Sequence, residues 1–274
     1  MGPLYPLPHT RTPTVRFRTA SEAAKYVARE LDKLIRSRNA AGKNTVLGLA
    51  TGSTPVSLYR ELIRLHNEEK LDFSRVVTFN LDEYYPMAKE SEHSYFRWMH
   101  ETLFDKINIR PENIHIPDGT LAPEEVDRFG AEYEKKIKAA GGIDVQILGI
   151  GRTGHIGFNE PGSSLASRTR VKTLTDATRA DNARFFASPA DVPRHCLTQG
   201  LGTIREARAL VLLAFGSAKA EAVAGAVEGP VSASLPGSVI QLHPDVTVLV
   251  DEAAAARLRY ADYYRSAWEH RLDV

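Results

Sequence analysis

LGIGRTGHIGFNEPG, residues 148–162, decides how this chain is read. An apolar run from Ile143 to Leu148 leads into it. The polar turn that follows holds four glycines before Pro161, one histidine, His155, and one carboxylate, Glu160. A glycine-rich turn at the end of a buried strand lets backbone come close to a ligand. His155 and Glu160, five residues apart on that turn, are natural acid–base candidates. The plain alternative is a tight turn whose two polar side chains are merely solvated. Gly149, Gly151 and Gly154 also satisfy the dinucleotide fingerprint G-x-G-x-x-G, but the context is wrong. Gly157 and Pro161 interrupt the helix that should open there. Where a ribose-binding acid should close a second strand, about 20 residues on, the chain reads RTRVKTLTDATR. A nicotinamide or flavin site is set aside.

Outward from this loop, short apolar runs alternate with amphipathic stretches. Strands are expected at Thr45–Ala50, Val76–Leu81, Asp144–Ile150, Ala209–Phe215 and Val246–Val250. Helices are expected at Ser21–Arg38 with Ser21 as cap, Thr54–Leu65 with Pro55 in its first turn, Ser94–Lys106, Pro123–Lys138 and Ser217–Val227. Five β-rich runs separated by helices indicate a parallel sheet covered on both faces. In such sheets ligands bind at the carboxyl ends of the strands.

The 274 residues suit one α/β domain, expected over 15–274 after a Pro-rich leader over 1–14 that has four prolines in its first thirteen residues. A net charge of +1 gives no field that points to nucleic acid or a membrane surface. No apolar run approaches the ~20 residues of a membrane span, and the start lacks the regions of a signal peptide. One cysteine, Cys196, leaves no internal disulfide framework and suits a reducing, cytoplasmic setting, where it is expected to pack rather than react.

The other strand ends carry chemistry of their own. Thr51-Gly52-Ser53-Thr54-Pro55 follows the first strand, and hydroxyls with free amides at a helix start make an anion site. It is no P-loop, since no Lys follows the glycine; plain capping by Ser53 or Thr54 is the simpler reading. The second strand ends in Asn80-Leu81-Asp82-Glu83-Tyr84-Tyr85, where adjacent acids point to opposite sides, so one of them enters a site as a proton-transfer base. The plain reading there is an acidic turn. Gly216-Ser217-Ala218-Lys219 puts a lysine in a first helical turn, where the dipole disfavours it unless an anion binds. Arg184 in TRADNARFF offers a planar fork for the same anion. His93, His100 and His115 have no metal-ligand spacing. The set suits proton shuttling on a small phosphorylated sugar.

At this point the sequence resembles the glucosamine-6-phosphate deaminase family. The likeness runs from about Val15 to Val250, in the blocks LGLATGSTP, VVTFNLDEYY, SYFRWMH, LGIGRTGHIGFNEPGSSLASRTRVKTLT, TRADNARFF and GSAK. It implies a modified Rossmann-like three-layer α/β/α sandwich with a mostly parallel sheet, and conversion of glucosamine 6-phosphate and water to fructose 6-phosphate and ammonia. Carried over by position, Asp82 is the base that moves the C2 proton to C1 through an enolamine. His155 helps to open the pyranose ring, and Glu160 orients His155. Thr51, Gly52, Ser53 and Thr54, with Arg184 and Lys219, hold the phosphate; Tyr84, Tyr85 and Gly154 lie near the sugar. No metal or organic cofactor is implied.

One position departs from the pattern. Many members carry Asp, and others Asn, two residues before the loop histidine; this chain has Thr153. A hydroxyl can hydrogen-bond the imidazole but adds no charge, so ring opening is expected to persist with a lower pH optimum. Some members are hexamers activated by N-acetylglucosamine 6-phosphate, at a site that matches Ser163, Ser164, Arg170, Lys172 and Thr173 here. The resemblance thus implies a homo-oligomer with a possible activator. Against that, the leader displaces the amino terminus those members use, and RLRYADYYRSAW does not align on their activator-contacting tyrosine. A 6-phosphogluconolactonase-like enzyme is less well matched, given the DEY and GHIGFNEP blocks. A non-catalytic sugar-phosphate sensor would need a DNA-binding module, and the residues before Val15 are too few for a helix-turn-helix.

Overall fold

The computed structural model describes residues 14–270. In chain order the strands are β1 (Thr14–Arg16), β2 (Thr45–Leu49), β3 (Val76–Asn80), β4 (Asp82–Tyr85), β5 (Ile114–His115), β6 (Val145–Gly149), β7 (Arg170–Thr173), β8 (His195–Thr198), β9 (Ala209–Ala214) and β10 (Val246–Val250). The helices are α1 (Ala20–Ala40), α2 (Val56–Glu69), α3 (Tyr95–Thr102), α4 (Val126–Ala139), α5 (Asp176–Asn182), α6 (Leu201–Arg205), α7 (Ala220–Glu228), α8 (Glu252–Ala255) and α9 (Ala261–Glu269).

Seven strands form one parallel sheet in the order β1-β10-β9-β6-β2-β3-β5. Both faces are covered. Val27, Leu31 and Ile35 of α1 with Leu58, Leu62 and Leu65 of α2 pack on Leu47, Ile147 and Val211. Tyr133 and Ile137 of α4, Ile204 of α6 and Val223 of α7 pack on Val46, Leu148 and Leu212. Each fully buried aliphatic side chain contributes about 1.5–3 kcal/mol, which is why runs buried on both faces read as continuous apolar segments.

The five expected strands are present, Val246–Val250 with its expected bounds and the other four trimmed at their ends, with two short edge strands added. β1 starts at Thr14, inside the segment read as leader; the rest of that leader, residues 1–13, lies outside the described residues. The residues after β3, for which an acidic turn is the plain alternative, form strand β4 in a second, antiparallel sheet ordered β4-β8-β7. Helix boundaries move as well. Thr19, not Ser21, caps α1 by accepting the Glu22 amide, and Pro55 precedes α2 instead of lying in its first turn. Neither Ser53 nor Thr54 caps α2. Lys219 ends a 3-10 turn, Ser217–Lys219, ahead of α7.

The order in which the chain adds strands reverses at the centre of the large sheet, while every strand stays parallel. β2 lies between β3 and β6, and β6 leads on to β9 and β10. Loops from the carboxyl ends of β2 and β6 therefore diverge, which opens the crevice where open α/β sheets bind ligands.

Candidate active site

Four adjacent strands, β9, β6, β2 and β3, deliver the chemistry to this crevice. β6 feeds the His155 loop, β2 the Thr51–Thr54 turn, β3 runs into Asp82, and β9 leads to Lys219.

Alternation along β4 sends its two acids apart. Glu83 turns away from the crevice and accepts the backbone N–H groups of Tyr84, Tyr95 and Phe96 at 2.8, 3.0 and 2.8 Å, so it anchors the start of α3. Asp82 faces the His155 loop: a Cβ built on Gly157 would stand 3.5 Å from its Oδ2. It is only 6% exposed. Burial, reinforced by the neighbouring Glu83 charge, pushes its carboxyl up to about 8. A carboxylate that holds its proton near neutrality is suited to both taking and returning one.

His155 is fixed through Nδ1. Thr153 Oγ1 lies at 2.9 Å, Thr178 Oγ1 at 3.4 Å and Glu160 Oε2 at 3.5 Å. The imidazole packs so tightly over the turn that a Cβ on Gly151 would collide with its ring atoms. Glu160, 1% exposed, also accepts the amide and hydroxyl of Thr175, each at 3.2 Å. Burial works against its charge, but the bonds with His155, Thr178 and Thr175 prevail and hold the carboxyl down at about 2. Asn159 ties the loop to the second sheet: its amide donates to Ile156 and Gln199 carbonyls, and its oxygen accepts from Arg170.

Across the crevice, Gly52 has φ +91°, a conformation that side chains resist, and turns the chain between β2 and α2. Among the described residues the amides of Gly52, Ser53 and Thr54 make no hydrogen bond within the protein. The Tyr95 ring lies 4.9 Å from that of Tyr84, and burial pushes its phenol well above the usual tyrosine range. Lys219 is half-buried, and burial lowers its ammonium below the usual lysine range; Asp181, Arg184 and Arg152 are the charges around it. Arg184 itself is exposed, 4.7 Å over the Phe185 ring.

The matching family model, "Glucosamine-6-phosphate isomerases/6-phosphogluconolactonase", spans residues 18–249. The chain belongs to this family. A glucosamine-6-phosphate deaminase of Rhodococcus opacus (strain B4) is 59% identical over 227 residues, 83% of this chain and 87% of that one. One from Rhodococcus jostii (strain RHA1) is 54% identical over 253 residues, covering 92% and 95%. Among solved structures, a monomeric glucosamine-6-phosphate deaminase superposes with a TM-score of 0.85 at 41% identity, over 90% of this chain and all of that one. The 6-phosphogluconolactonase of Trypanosoma brucei, with a TM-score of 0.70 at 22% identity over 91% of this chain and all of that one, shares the fold.

Asp82, Thr153, His155 and Glu160 thus meet at the loop after β6, while the Thr51–Thr54 turn and Lys219 follow the neighbouring strands β2 and β9 and Arg184 is among the charges that act on Lys219. Two sequence candidates sit differently. Tyr85 donates its hydroxyl to the Leu121 carbonyl, and Tyr84 packs among Tyr95, Phe158 and Phe186. Gly154 has both backbone groups engaged, its N–H on Gly151 O and its carbonyl on the Gly237 amide. Of the activator candidates, Ser163 and Arg170 touch the catalytic loop. Ser163 Oγ donates to Glu160 O, Ser164 Oγ accepts the Ala166 amide, and Arg170, Lys172 and Thr173 make up β7 with Val171.

Sequence reasoning missed Tyr95, Thr175, Thr178 and Asn159. Thr175 was findable: TLTDATRAD is a cap signature, and Thr175 does cap α5 by accepting the Thr178 amide. Cys196 is buried in β8 and donates to Lys172 O at 3.4 Å. The three histidines weighed as metal ligands stand apart: His93 stacks on Phe186, His100 meets Asp105, and His115 stacks on Phe79. Among the described residues no helix is long and apolar enough to cross a membrane.

Proposed function

We propose that the protein turns glucosamine 6-phosphate and water into fructose 6-phosphate and ammonia. The observation that carries this is the buried Asp82 facing the His155 loop across the crevice, with an anion-binding turn beside it on β2. The amides of the Thr51–Thr54 turn, with Lys219 and Arg184, hold the phosphate and so fix the sugar. His155 takes the proton from O1 and delivers one to O5, which opens the ring; Thr153 and Glu160 set the imidazole for this. Asp82 then removes the C2 proton to give an enolamine and returns it at C1, which leaves an imine at C2. Water adds to that imine and ammonia departs, so atoms balance without an oxidant or reductant. Side chains supply every proton transfer in this scheme.

The 54–59% identity to named deaminases favours this reaction over lactone hydrolysis. The deciding experiment follows ammonia and fructose 6-phosphate together, in wild type and Asp82→Asn. Equal release of both by the wild type, collapsing in the variant, supports the reaction and its base. Hydrolysis of a phosphogluconolactone without ammonia release would overturn it.

N-acetylglucosamine 6-phosphate would act through Ser163, Ser164 and β7, because the Arg170–Asn159 bond joins that strand to the catalytic loop. Assembly into a homo-oligomer, a hexamer in the activated members of the family, is checked by sedimentation, with the monomeric relative as the opposite outcome. A cytoplasmic site of action fits the single buried thiol.

A further inference from the structure

Arg152 is the one arginine or lysine inside the catalytic turn, residues 148–162, and the proposed reaction leaves it without a task. Its guanidinium grips Asp181 of α5 with both prongs, Nε to Oδ2 at 3.2 Å and Nη2 to Oδ1 at 3.0 Å. The pair is open to solvent, with the two side chains 58% and 45% exposed. An ion pair of that exposure contributes little to the fold. Its position is informative instead: Asp181 lies three residues before Arg184, and Lys219 faces the same cluster from the turn after β9. Lys219 thus feels two other cations, Arg184 and Arg152, and one carboxylate, Asp181, which Arg152 holds. The surplus of two positive charges matches a phosphomonoester, which carries about −1.5 to −2 near neutral pH. The planar fork that holds a carboxylate in two-pronged fashion holds phosphate in the same way.

We propose that Arg152 is a third phosphate-recognising cation beside Arg184 and Lys219, and that Asp181 competes with phosphate for its fork. Asp181 holds the guanidinium at the lip of the crevice until a phosphomonoester dianion takes it. The ligand class is a sugar phosphate bound through its phosphate, with inorganic phosphate as a weaker competitor. This inference rests on the reading of Lys219 and Arg184 as the phosphate pocket, and the experiment separates the two.

Steady-state kinetics with glucosamine 6-phosphate, and competitive inhibition by inorganic phosphate, are measured for Arg152→Gln, Asp181→Asn, the double variant and Lys219→Ala. Arg152→Gln is expected to raise both KM and the phosphate inhibition constant by about fivefold to tenfold, the worth of one partly exposed charge-assisted contact, with a much smaller change in kcat. Asp181→Asn is expected to lower both constants, by about twofold to fivefold, since it removes an exposed competing ion pair. In the Arg152→Gln background, Asp181→Asn is expected to lower neither, because the competitor then has nothing to release. Lys219→Ala is expected to raise KM more than Arg152→Gln does. If Lys219→Ala raises KM while Arg152→Gln leaves KM and phosphate inhibition unchanged, the role of Arg152 is overturned and the pocket stands. A rise in KM with Asp181→Asn overturns the competition. An unchanged KM in Lys219→Ala overturns the pocket and the inference together.

Discussion

The hydroxyl of Thr153 lies 2.9 Å from Nδ1 of His155, closer than Glu160, whose Oε2 is 3.5 Å from the same nitrogen. The same hydroxyl reaches Glu160 Oε2 at 3.4 Å. A threonine has one O–H to donate and lone pairs to accept with. It gives its proton to the carboxylate, which cannot donate, and accepts the ring N–H. This assignment places the imidazole proton on Nδ1 and leaves Nε2 as the nitrogen that exchanges protons with a sugar oxygen.

Thr153 is therefore expected to tune the reaction without being required for it. Thr153→Ala removes one hydrogen bond to the ring and is expected to lower kcat by about threefold to tenfold. Thr153→Asp adds a negative charge beside the imidazole, which favours the imidazolium and moves the limb of the pH–rate profile that His155 governs to higher pH. Profiles measured from pH 5 to 9 for both variants decide the matter. If both match the wild type, Thr153 plays no part.

Glu160 is expected to matter for catalysis and for acid stability together. Glu160→Gln keeps the shape but loses the charge that orients His155, so kcat should fall by about 10²-fold. The stability effect has a definite sign. The folded carboxyl sits at about 2, below its ordinary 4.5, so its contribution is present above pH 4.5 and is lost as pH falls from there towards 2. Melting curves at pH 7 and pH 3.5 should show the wild type losing more of its Tm on acidification than the glutamine variant. Parallel losses would count against a charged Glu160 in the folded protein.

The parts of this site that could be read in the sequence are those set by local chemistry. β2, β3, β6, β9 and β10 are buried on both faces, so each is an unbroken apolar run, and the loop after each is visible by its glycines and polar residues. β4, β7 and β8 were invisible for the opposite reason. DEYY, RVKT and HCLT are four residues each, without a long alternation, and they become strands only by pairing Asp82 with Thr198 and Arg170 with Thr198 from distant parts of the chain. β1 and β5, of three and two residues, are too short to carry a period. The His155–Glu160 pair is legible because both residues lie on one turn. Thr178 on the same ring nitrogen, and Asp181 on Arg152, depend on α5 folding back over that turn, and no spacing announces it.

Gly151 is expected to be a steric requirement of the imidazole, since a side-chain carbon there would overlap the ring of His155. Gly151→Ala should displace the ring from Thr153 and Glu160, at a cost of about 10²-fold or more in kcat, the scale of a misplaced acid–base group. KM should change less, because Lys219, Arg184 and the Thr51–Thr54 turn lie on other loops and leave Arg152 as the one proposed phosphate contact on this turn. A crystal structure of the variant with the ring unmoved, or a kcat within threefold of wild type, would remove glycine's role here.

Asp82 joins activity to instability, and the two can be separated by one substitution. Burial and the Glu83 charge raise its carboxyl to about 8, far above its ordinary 3.8. The basic form therefore accumulates only as pH rises towards 8, and kcat/KM should climb through that range. Stability runs the other way. Between pH 3.8 and 8 the folded protein holds a proton that the unfolded chain has released, so stability falls as pH rises across this window. Asp82→Asn, neutral at every pH and nearly the same shape, escapes this loss. At pH 8 it should melt higher than the wild type by at least about 2–4 °C, the shift that ~1 kcal/mol produces at this chain length, with the gap closing towards pH 4. Its kcat should fall by about 10²–10⁴-fold, the usual contribution of a positioned general base. A variant that is inactive yet melts at or below the wild-type temperature at pH 8 would mean that Asp82 is ionised in the folded protein.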